Sequence, residues 1–289
     1  FRRQGGGTIY DFAWYPHMDS RRPETCVFLS TSHKNPTHLW DAFTGALRAT
    51  YRSYDYADEI TAALSACFSA SGEKIICGFD RCIRIFDVTR PGRDYVTRVL
   101  VKTINSKSRT KRRKIGQRGL ISDIDSTSLY GGLYACGSYA GSAYVYEETS
   151  GKVVCSLEAP AHRNGITKVK FASDAVRLWT GGRRDSHILE WDLRMLKVLN
   201  VYTRKCESNQ RYGFDISPDG RYLVTGSQNG DIHFFDTHTG TQTGTKPGTQ
   251  TGTQNGTQKG TENGTQTGTQ TEAPSGTQSG TQSGTQSGT

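Results

Sequence analysis

His162, Asp185 and the hydroxyl of Thr180 bring together, on paper, the imidazole, carboxylate and hydroxyl of a nucleophilic triad. The rest of the sequence gives that chemistry no support. It holds no Gly-x-Ser-x-Gly elbow, no Gly-x-x-x-x-Gly-Lys-Ser/Thr phosphate loop, no Gly-x-Gly-x-x-Gly after a strand and no His-Glu-x-x-His pair. The seven cysteines (26, 67, 77, 82, 136, 155 and 206) include no Cys-x-x-Cys spacing, so neither a zinc cage nor a disulfide framework is indicated. Cys67, Cys77 and Cys136 sit in apolar runs, where a thiol packs as a small hydrophobe, and a reducing compartment is expected. No catalytic residue, metal or cofactor is expected.

Phosphate chemistry has a stronger basis. The formal net charge is +9, and residues 102–118 hold eight basic side chains and no acidic one. Without them the net charge would be +1, so the basic character belongs mostly to one segment. Its run Lys111, Arg112, Arg113, Lys114 reads equally as a nuclear localisation signal or as a nucleic-acid contact.

The elements that position these groups follow from an internal repeat, sought at periods of about 20–50 residues. Trp40-Asp41, Phe86-Asp87, Tyr146-Glu147, Trp191-Asp192 and Phe235-Asp236 each end a short alternating stretch, and the aromatics are spaced by 46, 60, 45 and 44 residues. Within a period, runs such as Phe214 to Ser217 and Tyr222 to Thr225 flank Pro218-Asp219-Gly220, which reads strand, turn, strand. Glycines 78, 137, 181 and 226 are expected to open a second tight turn before the strand with the aromatic. This is the pattern of an all-β WD-repeat β-propeller, with five blades of an expected seven over residues 9–237. Residues 1–8 would form an N-terminal loop of a truncated chain, 102–118 a basic loop insertion, and 238–289 a disordered Gly-Thr-Gln tail too poor in apolar side chains to fold. No apolar run approaches the ~18 residues of a membrane span.

In WD-repeat proteins the His162, Thr180, Asp185 and Trp191 positions form a buried relay, which explains the apparent triad as architecture. The rim that carries the second-to-third-strand turns gathers Arg163, Arg183, Arg184, Arg211 and Tyr139. Together with Lys111, Arg112 and Arg113 these supply cations for phosphate and a ring for base stacking, as single-stranded RNA requires. Asp55, Asp58 and Glu59 interrupt the same rim.

Asn35-Pro36-Thr37-His38-Leu39-Trp40-Asp41-Ala42-Phe43-Thr44-Gly45 resembles the telomerase Cajal body protein 1 family. So do Cys77-Gly78-Phe79, Arg90-Pro91-Gly92-Arg93-Asp94, Cys136-Gly137-Ser138-Tyr139 and Asn209-Gln210-Arg211, from about Thr8 to Asp236 without rearrangement. The resemblance implies a nuclear, non-enzymatic RNA-binding scaffold that directs small Cajal-body RNAs and telomerase RNA to Cajal bodies. Telomerase ribonucleoprotein proteins would be its partners, and telomere maintenance would depend on it. The basic 102–118 segment is longer than the family suggests. A generic protein–protein scaffold is the alternative, and a monomer is the expected state.

Overall fold

The computed structural model describes residues 7–105, 112–158, 162 and 164–247. Among them, twenty strands form five four-stranded antiparallel sheets in which each strand pairs with its sequence neighbour. Sheet 1 holds β1 (Ile9–Trp14), β2 (Val27–Ser32), β3 (Thr37–Asp41) and β4 (Leu47–Tyr51). Sheet 2 holds β5 (Ser65–Phe68), β6 (Lys74–Gly78), β7 (Cys82–Asp87) and β8 (Tyr95–Val99). Two further strands, β9 (Val101–Asn105) and β10 (Arg112–Gly116), pair only with each other. Sheet 3 holds β11 (Ile121–Thr127), β12 (Leu133–Ser138), β13 (Ser142–Glu147) and β14 (Val153–Glu158). Sheet 4 holds β15 (Ile166–Phe171), β16 (Arg177–Gly182), β17 (His187–Asp192) and β18 (Lys197–Thr203). Sheet 5 holds β19 (Phe214–Ile216), β20 (Tyr222–Gly226), β21 (Ile232–Asp236) and β22 (Gln242–Lys246).

The core lies between the sheets. Four apolar clusters each join two consecutive sheets: Leu29 and Leu39 meet Phe68 and Phe86, and Ile76 and Ile85 meet Tyr134 and Tyr146. Val145 and Leu157 meet Val169 and Trp191, and Trp179 and Tyr202 meet Phe214 and Phe235. Each sheet completes the burial of the one before it, which is how repeat architectures distribute stability. The five repeat aromatics sit on the third strands, and the acid after each caps the next turn. Asp41 accepts from the Phe43 and Thr44 amides at 2.9 and 2.8 Å, and Asp192 accepts from the Arg194 amide at 2.8 Å.

Three expectations need correction. Gly78 ends its second strand and Gly137 and Gly181 are the last but one residues of theirs, and all three are small because the next sheet approaches closely. A Cβ on Gly137 would lie 2.7 Å from Ile166, and one on Gly181 would lie 2.9 Å from Phe214. The tail does not begin at 238, because β22 pairs with β21 and completes sheet 5. This outer strand is mostly exposed, so main-chain hydrogen bonds and β-branched threonines suffice without apolar burial. Residues 248–289 lie outside the described residues. The basic segment is not a plain loop either, since β9 and β10 make it a hairpin.

Candidate nucleic-acid interface

The apparent triad is sealed. His162, Thr180 and Asp185 are 1%, 1% and 5% exposed, so no substrate reaches the hydroxyl. Asp185 Oδ2 accepts from His162 Nδ1 at 2.7 Å, and His162 Nε2 lies 2.8 Å from Thr180 Oγ1. Trp191 Nε1 donates to the same hydroxyl at 2.8 Å. An Nδ1–H facing the carboxylate leaves Nε2 as the acceptor for Thr180, and the Thr180 oxygen then accepts from Trp191. Burial pushes the Asp185 carboxyl up, but hydrogen bonds from His162 and His187 outweigh it and hold it below its ordinary value.

Sequence reasoning missed how other sheets fill the same place. In sheet 3, buried Gln117 receives the Tyr146 hydroxyl at 3.0 Å and donates to the Cys136 carbonyl at 2.6 Å. In sheet 5, buried Arg204 donates to Thr225 and to the Gly213 carbonyl, with Tyr212 against its guanidinium. Trp40 Nε1 donates to Ser30 in sheet 1 at 2.7 Å. The buried thiols Cys67, Cys77 and Cys136 are pushed up by desolvation, Cys77 to about 12, which leaves them unreactive packing groups. Among the described residues, no group of three or more His, Cys, Asp or Glu side chains could hold a metal ion. No helix among them is long and apolar enough to cross a membrane.

The innermost strands form a charged lining. Asp11 Oδ2 accepts the Ala66 amide of sheet 2 at 3.1 Å. Asp123 and Asp125 accept the Val169 and Phe171 amides of sheet 4 at 2.7 and 2.8 Å. Arg211 reaches into this lining: Nη1 donates to the Tyr10 carbonyl at 3.0 Å, and Nη2 donates to the Thr167 carbonyl at 3.2 Å and to that of Ser122. Arg211, expected as an RNA contact, therefore joins sheets 1, 3 and 4 structurally.

Burial and the neighbouring Asp123 raise Asp11 from 3.8 to about 6, against the pull of Arg211 and Lys168. A carboxyl raised in the folded state favours folding while protonated. Its contribution is present below about pH 4 and is lost as pH rises through about 6. We expect Asp11→Asn, which keeps an acceptor for Ala66, to match the parent near pH 4 and to exceed it by about 2 kcal/mol at pH 7. Urea unfolding across that range checks this, and a pH-independent difference would contradict it.

On the rim, Tyr139 and Arg183 meet, with the guanidinium 5.2 Å from the ring centre. The Arg183 amide donates to Gly165 at 2.8 Å, and Gly165 leaves no room for a side chain because a Cβ would lie 2.7 Å from the Tyr139 carbonyl. Arg183 Nε is buried with no hydrogen-bond partner among the described residues. Arg184 beside it is exposed and held at φ 51°. Lys34 and Arg81 occupy the corresponding turns of sheets 1 and 2 at φ 59° and 56°, where sheets 3 and 5 use Gly141 and Gly230. A non-glycine residue in this region costs on the order of 1 kcal/mol, so three rim turns tolerate strain while displaying a cation. Arg163 and Lys111 lie outside the described residues, and Arg112 and Arg113 fall on β10.

Five meander sheets and the relay define a WD-repeat β-propeller. The WD domain, G-beta repeat family matches residues 201–236. The chain also resembles a chain in the crystal structure of the mitotic checkpoint complex, with a TM-score of 0.60 and 17% identity, covering 82% of this chain and 65% of that one. More particularly, the chain is similar to telomerase Cajal body protein 1. It is 43% identical to the Bos taurus and Homo sapiens proteins over 233 residues, 80% of this chain. It is 36% identical to the Drosophila melanogaster homolog over 239 residues, also 80% of this chain. It spans only 41%, 40% and 40% of those three proteins.

Proposed function

We propose that the chain is an RNA-binding WD-repeat scaffold that takes unpaired bases and phosphates on the Tyr139–Arg183–Arg184 rim. Its RNAs are small Cajal-body RNAs and telomerase RNA, which it directs to Cajal bodies in support of telomerase assembly and telomere maintenance. The observation that carries this is the Arg183 guanidinium over the Tyr139 ring, with a buried Nε that has no partner among the described residues. A cation beside an aromatic face offers a base a stacking platform and its phosphate a counter-charge. The names of the relatives supply the cellular context.

The test is binding of a labelled small Cajal-body RNA loop against a box-scrambled control across a salt series. Tyr139→Ala is expected to weaken binding by about 1–3 kcal/mol, and Tyr139→Phe should restore it. Arg183→Ala with Arg184→Ala is expected to flatten the log–log salt slope by about 0.7 for each phosphate no longer neutralised. An unchanged slope would move the site off this rim.

A protein–protein scaffold is the second reading, favoured by an apolar crevice of about 530 Å³ between sheets 3 and 4. Tyr130, Leu133, Val145, Val154, Val176 and Leu193 are among the residues that line it. RNA binding that is absent in the parent would leave this reading standing.

A further inference from the structure

Arg81, in the rim turn of sheet 2, is held at φ 56°, a conformation that glycine adopts freely and other residues do not. Sheets 3 and 5 place Gly141 and Gly230 in the corresponding turns. Two backbone bonds fix the strained residue. Its amide donates to the Gly119 carbonyl at 3.0 Å, and its carbonyl accepts from the Leu100 amide at 2.9 Å. A side chain kept where glycine would relax the turn points to a use for that side chain. Here it is a half-exposed guanidinium.

The Gly119 bond also ties Arg81 to the aromatic of the rim. Three successive carbonyls between sheets 2 and 3 are shared between the two turns. That of Arg118 accepts from the Ser138 hydroxyl, that of Gly119 from the Arg81 amide, and that of Leu120 from the Tyr139 amide at 3.0 Å. Gly119, at φ 80°, lets this segment lie close, since a Cβ there would sit 3.1 Å from the Ala140 Cβ and from the Ser138 hydroxyl. On the other side, Gly165 packs against the Tyr139 backbone and accepts from the Arg183 amide. One ledge therefore runs over sheets 2, 3 and 4, with an aromatic ring in the middle and a cation toward either end.

We infer that Arg81 is a second phosphate site of this rim, and that Asp80 competes with the RNA for it. An unpaired base stacked on Tyr139 has a phosphate on either side in its strand. Arg183 and Arg184 meet one, and Arg81 meets the other. The inference rests on the RNA-binding reading above and extends it to sheet 2, so that the strand is gripped at an internal nucleotide rather than at an end. Without RNA, Asp80 Oδ2 accepts from Arg81 Nε at 2.9 Å and lies 2.7 Å from Nη2. Both side chains are about half exposed, and an ion pair so placed is weak enough in water for a phosphate to take the carboxylate's position.

The test uses the full chain and the labelled RNA loop across a salt series. Arg81→Gly should unfold at or above the parent's urea midpoint, because the turn relaxes. It should nevertheless bind more weakly, with a log–log slope flatter by about 0.7 for the one phosphate released. Arg81→Lys should keep the slope, since neutralising phosphate needs only charge. Asp80→Asn should tighten binding by up to about fivefold, because the competing carboxylate is gone. Lys34→Gly removes a cation from a turn with φ 59° in sheet 1, which is bonded back to Thr8 through the His33 amide, off the ledge. It should leave binding unchanged. A parent-like slope for Arg81→Gly, or an Asp80→Asn variant that binds no tighter, overturns the proposal. So does equal weakening by Lys34→Gly, which would make net charge the cause. If Arg81→Gly keeps the parent's slope while Tyr139→Ala weakens binding, the rim reading stands without the sheet 2 site. If Tyr139→Ala binds as the parent does, both fall.

Discussion

His162→Ala should cost the protein about 3 kcal/mol, since it leaves a buried carboxylate and a buried hydroxyl each short of a hydrogen-bond partner. The substitution strips Asp185, whose side chain is 3% exposed, of its 2.7 Å hydrogen bond and leaves the Thr180 hydroxyl without its second partner. His162→Gln should recover part of the loss, because Gln117 fills this place in sheet 3 with a carboxamide. Asp185 is held below its ordinary value in the fold, so its share of stability is present at neutral pH and disappears as pH falls through the carboxylate range. Urea titration at pH 7 measures the effect, and a loss under about 1 kcal/mol would show that the relay is not a stabilising unit.

Arg211→Ala is expected to cost about 3 kcal/mol. One guanidinium serves the carbonyls of Tyr10, Ser122 and Thr167 and lies 3.6 Å from Asp123, and hydrogen bonds from a charged donor contribute about 1.5–3 kcal/mol each. Its side chain is 31% exposed, so water replaces part of what is removed and the sum is not reached. Arg211→Lys should recover little, because an ammonium cannot span three carbonyls as the planar fork does. Removing Arg211 also withdraws the charge that restrains Asp11, whose carboxyl should then rise further. If Arg211→Ala unfolds at the parent's urea midpoint, the bridge between sheets 1, 3 and 4 contributes nothing. Weaker RNA binding by this variant has to be weighed against its stability, which is why Arg183 and Arg184 are the cleaner probes of the rim.

The third strands were legible in the sequence because the aromatic-acid pair performs two tasks that allow few residue types. In sheets 2 to 5 the aromatic fills the gap between sheets, and the aspartates of sheets 1, 2, 4 and 5 collect the turn amides. Hence Trp40, Phe86, Tyr146, Trp191 and Phe235 all fall where their spacing puts them. The relay of sheet 4 was legible for the same reason, as its members are the family's usual ones. Gln117 and Arg204 were not, since a place defined by reach and hydrogen-bond capacity accepts chemically unrelated side chains. Arg211 was assigned by charge to the rim, whereas its position is decided by carbonyls distant in sequence. Strand β22 escaped notice because an outer strand needs backbone partners more than apolar side chains. On the rim, Tyr139, Arg183 and Arg184 were all found by residue type, but their pairing depends on the Gly165 approach, which no pattern announces.

The carboxylates of the inner strands have a consequence for dynamics. The amide hydrogen of Ala66 is held by Asp11 of sheet 1, and those of Val169 and Phe171 by Asp123 and Asp125 of sheet 3. Their exchange with solvent deuterium therefore reports how often two sheets part. Exchange at amides bonded within a strand pair reports fraying inside one sheet. The junction of sheets 2 and 3 is tied by the Ser65 hydroxyl to the Ile121 carbonyl at 3.0 Å and by the Ile121 amide to the Phe79 carbonyl at 3.0 Å, and that amide is its isotopic reporter. Deuterium uptake resolved by residue would thus separate the opening of the first three junctions from fraying within single sheets.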